Sequence, residues 1–86
     1  MRVFVSNISY SATMEDIIAE ILSAGLVVES LDLPAPRPGT EHPHRGWGFA
    51  EINGASGTEI LQRLHNRELR GRPMHCEPAR ARLREL

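Results

Sequence analysis

Eight residues near the middle of the chain, Arg45-Gly46-Trp47-Gly48-Phe49-Ala50-Glu51-Ile52, constrain the fold more than any other stretch. Their alternation predicts a β-strand, whose successive side chains point to opposite faces. One face carries Arg45, Trp47, Phe49 and Glu51, and the other Gly46, Gly48, Ala50 and Ile52. The small and aliphatic set suits a core, so the large rings stand on the opposite side. The reverse register would expose Ala50 and Ile52 and bury Arg45 and Glu51 without partners, which is costly. A sheet with Trp and Phe beside Arg on its outer face is suited to stacking flat rings and holding phosphate.

A second segment supports this. Arg2-Val3-Phe4-Val5-Ser6-Asn7-Ile8 also alternates, with Val3 and Val5 on one side and Arg2, Phe4 and Ser6 on the other. Together the two stretches resemble the signature segments of RNA-recognition-motif (RRM) domains. The longer signature reads K/R-G-F/Y-G/A-F-V-x-F/Y. Arg45, Gly46, Gly48, Phe49 and the free position Glu51 agree with it; Trp47 keeps a ring, and Ala50 and Ile52 remain apolar. The shorter signature, aliphatic-aromatic-aliphatic-x-Asn-Leu, is filled by Val3, Phe4, Val5, Asn7 and Ile8. The resemblance implies that both segments lie on adjacent central strands, with Phe4 beside Phe49 on the open face.

The intervening chain is consistent with that plan. Thr13 and Asp16 form a short-armed capping box for a helix, with Glu15 and Asp16 in its favourable first turn. Ile17, Ile21 and Ala24 recur at helical spacing, Met14, Ile18 and Leu22 widen the stripe, and Gly25 suits a left-handed end. Leu26 to Leu33 reads as a strand with Val28, Leu31 and Leu33 inward and Ser30 and Asp32 outward; the uneven spacing predicts a bulge. Pro34 to His44 holds four prolines and a glycine and is a loop. Ser56 and Glu59 cap a second helix, with Ile60, Leu61 and Leu64 as its buried stripe and Asn66 suited to a left-handed residue. Leu69 to Ala79 resembles the family's ending, L-x-G-R-x-L-x-V-x-x-A, with Met74 and Cys76 inward, His75 and Glu77 outward, and Pro73 at an edge.

The expected fold is therefore α+β: a ferredoxin-like βαββαβ sandwich, with a four-stranded antiparallel sheet covered on one face by two helices. Residues 1–79 form the domain and residues 80–86 a short Arg-rich tail. Eighty-six residues suffice for one domain with a modest core. No apolar run reaches membrane-spanning length, and a strand-like segment directly after Met1 predicts no signal peptide. The single Cys76 excludes an internal disulfide framework and suits a reducing cytoplasm, or a nucleus if the source is eukaryotic. All ten basic residues are Arg, which hints at a GC-rich, bacterial source.

The formal net charge of −1 argues against a binder that relies on many phosphate contacts and suits a reader of single strands by stacking. The resemblance implies single-stranded RNA as ligand, with Phe4 and Phe49 stacking bases, Trp47 against a sugar or between nucleotides, and Arg45 on a phosphate. Arg2 shares their face. Arg37, His42 and His44 are contacts from the loop, His75 one from the last strand, and Arg80 one from the tail, which otherwise is simply solvated. Asn7 suits a backbone hydrogen bond in its own loop or a base contact. The alternatives are a protein-interaction module on the same face, within a larger ribonucleoprotein, and single-stranded DNA binding. No catalytic set emerges: His75 and Cys76, as neighbours on a strand, point to opposite faces and cannot act as base and nucleophile. His42 and His44 alone are a weak metal set. No cofactor, metal, membrane or small-molecule substrate is expected.

Overall fold

The structure is a computed structural model that describes residues 1–79. The elements run β1 (Arg2–Ser6), α1 (Met14–Ser23), β2 (Val27–Asp32), β3 (Gly48–Asn53), α2 (Gly57–Leu64), β4 (Glu68–Leu69), β5 (Arg72–Pro73) and β6 (His75–Pro78). Strands β2, β3, β1 and β6 form, in that spatial order, one antiparallel sheet, and β4 and β5 form a separate two-stranded hairpin. This is the expected βαββαβ plan with a small hairpin inserted before the last strand. The sequence reading runs the final strand through Pro73. Instead Pro73 lies in the hairpin, opposite Glu68, and pairing with β1 begins at His75.

Both helices begin as their sequence dictates. The Thr13 side chain accepts from the Asp16 amide at 3.1 Å, and the Asp16 carboxylate accepts from the Thr13 amide at 2.9 Å. Ser56 and Glu59 repeat the exchange. Each box satisfies donors that the first turn leaves without intrahelical partners. Helix α1 ends at Ala24, followed by Gly25 at φ +82°, and α2 is followed by Asn66 at φ 67°.

The core lies between the sheet and the helices. Val3, Val5, Ala50 and Ile52 project from the central strands onto Ile17 and Ile21 of α1 and Ile60 and Leu64 of α2, all essentially buried. Each such aliphatic side chain contributes about 1.5–3 kcal/mol on leaving water. Val28, Leu31 and Leu33 pack at its margin, and the ladder slips between Val28 and Ser30, so Glu29 is the extra residue of the expected bulge.

Three arginines fasten the hairpin to the rest of the domain. Arg67 Nε donates to Glu20 at 2.5 Å, Arg70 to Asp16 at 2.8 Å, and Arg72 Nε to the Asn7 side-chain oxygen at 2.9 Å. Arg63 pairs with Glu59 along α2. Four of the seven arginines in the described residues thus hold side-chain partners away from the rings, while Arg2, Arg37 and Arg45 lie toward the ring-bearing side.

Candidate nucleic-acid interface

The alternation that buries Val3, Val5, Ala50 and Ile52 turns Phe4 and Phe49 to the face away from the helices. The two are directly opposite in the β1–β3 register, with ring centroids 5.3 Å apart and planes inclined by 51°. Trp47 completes a triangle, 6.0 Å from Phe4 and 6.1 Å from Phe49, edge-on to the latter. All three rings are partly exposed. The Arg2 guanidinium carbon lies 4.9 Å from the centre of the Phe49 ring, within cation–π range.

Trp47 reaches this face by a different route from the one its alternation suggests. The third strand begins at Gly48, because Gly46 adopts φ +90° and breaks the extended run. Arg45 and Trp47 therefore precede the strand. The Ile8 amide still donates to the Gly46 carbonyl at 3.0 Å, which keeps the turn alongside β1 and Trp47 over Phe4. The nearest neighbours of both glycines lie outside the helices. A Cβ on Gly48 would lie 2.6 Å from the Asp32 carbonyl oxygen and 2.6 Å from Leu33 Cδ2, and one on Gly46 would lie 3.3 Å from the Tyr10 ring.

Carboxylates flank the rings. Glu77 stands opposite Phe4 and Asp32 opposite Phe49, while Glu51 stands opposite Arg2 and lies 3.1 Å from the amino group of Met1. His75, opposite Ser6, is exposed on the same side at the sheet edge, 5.4 Å from the His65 ring. Its neighbour Cys76 is buried, and burial together with Glu77 pushes the thiol up to about 11 from its ordinary 9.0.

Asn7 has its whole amide engaged: Nδ2 donates to the Pro73 carbonyl at 2.8 Å and Oδ1 accepts from Arg72. It sits at φ 56°, where Asn is better tolerated than most residues. It tethers the end of β1 to the hairpin. His44, expected as a loop contact, is instead 1% exposed. Its Nδ1 accepts from the Gly46 amide at 2.8 Å, so the proton resides on Nε2, which donates to the Ala12 carbonyl at 2.9 Å. A ring so committed supports the loop from within and is withdrawn from contact with a ligand.

Tyr10 is the ring that the sequence leaves unassigned. It is 45% exposed and stacks on His42, centroids 4.2 Å apart and planes at 20°. A cavity of about 460 Å³ is lined by Tyr10, His42, Trp47, Thr40, Arg37 and Arg45, with His44 behind. Arg45 Nε donates to the Ala35 carbonyl at 2.7 Å, which bends its side chain across the loop. A lone Tyr between a strand and a helix carries no periodic signal, and stacking on a residue 32 positions later is decided by the loop's path. Arg80 lies outside the described residues.

No protein-family model matches the chain, and no curated protein matches it. Solved structures do. The chain is similar to the RNA15 RRM, at 24% identity and TM-score 0.73 over 91% of this chain and 87% of that one. It is similar to an SXL-lethal protein/RNA complex at 18% identity and TM-score 0.70, over 91% of this chain and 47% of that one. Against the Rna15 RRM with bound RNA (GU) the figures are 22% and 0.69, over 91% and 81%. At these identities the likeness establishes the architecture: the chain has the RRM fold.

Proposed function

We propose that the protein binds single-stranded RNA without catalysis, stacking bases on the open face of its sheet. The observation that carries this reading is the pair Phe4 and Phe49, opposed across the central strands and open to solvent on the side away from both helices. Two adjacent rings at that spacing offer platforms for two neighbouring bases, and such contacts are sequence-tolerant because every base has a π-face. Trp47 borders the platform and packs against a sugar or a third base. Arg2 is held over Phe49, and Arg45 and Arg37 lie beyond Trp47, so cations flank the track on two sides. His75 extends it toward the β6 edge, Arg80, outside the described residues, adds a further cation, and Asn7 ties the end of β1 to the hairpin. A structural neighbour, the Rna15 RRM, has been solved with a bound GU ligand, and this adds to the case. The same reading places the protein in the cytoplasm, or in the nucleus of a eukaryote, with further ribonucleoprotein components as partners.

The net charge of −1 and the carboxylates beside the rings shape the mode. Affinity rests on stacking more than on counterion release, so its salt dependence is shallow. Binding of a short single-stranded RNA by Phe4→Ala, Phe49→Ala and the double variant, each checked for a native circular dichroism spectrum, tests the proposal. Each ring should contribute about 1–3 kcal/mol. Unchanged affinity in a folded double variant would remove the stacking mode. Tighter binding of the matching DNA oligonucleotide would shift the ligand to single-stranded DNA, since stacking alone does not read the 2′-hydroxyl.

A further inference from the structure

Where does the phosphate go? The sheet face is poorly suited to it, because Glu77, Asp32 and Glu51 stand opposite Phe4, Phe49 and Arg2 in the ladder. The cavity beyond Trp47 has the opposite character. Its lining holds Arg37 and Arg45, Thr40 and four rings, Tyr10, His42, His44 and Trp47, and no carboxylate. Its volume of about 460 Å³ falls within the usual range for ligand sites, about 300–1,000 Å³.

We infer that this cavity is a nucleotide subsite separate from the sheet: it takes the phosphate of one nucleotide between Arg37 and Arg45 and packs that nucleotide's ring or sugar against Tyr10, His42 or Trp47. The inference rests on the proposed RNA-binding reading and deepens it by dividing the work. The sheet takes uncharged bases, and the carboxylates beside it accept from their amino groups. The cavity takes the charge.

The wall of the cavity is built in advance. His44, fixed by Ala12 and Gly46, anchors the end of the Pro-rich loop to the start of α1. The Thr40 amide and hydroxyl both donate to the Arg37 carbonyl, at 3.2 and 2.9 Å, closing a turn that brings Arg37 and Thr40 to the same wall. Gly46, in a left-handed conformation, leaves room for the Tyr10 ring, whose hydroxyl approaches the Arg45 carbonyl at 3.4 Å. Arg45 is oriented by the Ala35 carbonyl through its Nε. A guanidinium held at Nε keeps its terminal nitrogens for an anion, and Arg suits phosphate through paired hydrogen bonds.

The probes are adenosine monophosphate and adenosine, titrated separately into the intact protein and followed by NMR. Neither probe spans the two-base platform, so the result does not depend on whether RNA binds there. The subsite predicts saturable shifts at Tyr10, Thr40 and His42 with the monophosphate, and about tenfold weaker binding of adenosine, the loss expected for hydrogen bonds to a charged group. Arg37→Gln should abolish that preference and Tyr10→Leu should weaken both probes, while Phe4→Ala/Phe49→Ala leaves the cavity shifts in place. No shift at the cavity residues, or equal binding of the two probes, overturns the inference. Shifts confined to Phe4 and Phe49 would overturn it too and leave the stacking proposal standing. Cavity shifts with an indifferent sheet would support the subsite.

Discussion

His44 Nε2 donates to the Ala12 carbonyl across 32 residues of sequence, and this bond couples the long loop to the beginning of the first helix. The ring is buried and its other nitrogen receives the Gly46 amide, so His44→Ala leaves a buried carbonyl and a part-buried amide without partners. Unsatisfied groups of this kind each cost about 1–3 kcal/mol. We expect a loss of stability of about that size in urea unfolding, together with faster hydrogen exchange at Gly46. An unchanged midpoint would show that the loop is not held by this ring.

Gly48→Ala is expected to be costly for a reason that has nothing to do with positive φ. The new methyl would meet the Asp32 backbone oxygen at 2.6 Å, and a backbone atom in a paired strand cannot turn aside as a side chain does. Overpacking of this sort typically costs about 1–3 kcal/mol. The β2–β3 ladder would have to shift at the step beside Phe49, so unfolding midpoint and RNA affinity should both fall.

The N-terminus of α1 should respond to acid. The Asp16 carboxylate is held below its ordinary 3.8 by the hydrogen bond from the Thr13 amide first and by Arg70 next. A lowered folded-state value means that the contribution to stability is present above pH 3.8 and fades as the pH drops through the lowered value. Asp16→Asn should flatten the acid limb of the stability profile below that pH while leaving the limb near neutrality parallel to the wild type. A profile with an unchanged acid limb would contradict this.

Cys76 should be slow to alkylate. Its side chain is buried and its pKa is raised to about 11, so the thiolate is scarce at neutral pH. Iodoacetamide at pH 8 should modify the native protein only on the timescale of unfolding and should label it quickly in denaturant. Rapid labelling of the native state would mean that the β6 edge opens far more readily than its pairing with β1 suggests.

What could be read from the sequence follows from which interactions are local. The period of two in Arg2–Ile8 and Gly48–Ile52 determines which side chains face the helices, because a strand offers only two faces and one must be apolar. The capping boxes link residues only three apart, and the bulge in β2 shows as a break in alternation. Hence the architecture, the core and the exposure of Phe4, Trp47 and Phe49 were all legible. The position of Trp47 ahead of the strand was not, since an alternating pattern cannot reveal that Gly46 turns the backbone. Nor could the sequence separate His42 from His44, two residues apart in one loop. One stacks in the open on Tyr10 and the other is sealed beneath it, a difference settled by which of them meets the Ala12 carbonyl. The arginines make the same point. Only folding brings Glu20, Asp16 and Asn7 to Arg67, Arg70 and Arg72, and so decides which cations remain on the side of the rings. Patterning along the chain selects a face; contacts between distant segments decide what that face can hold.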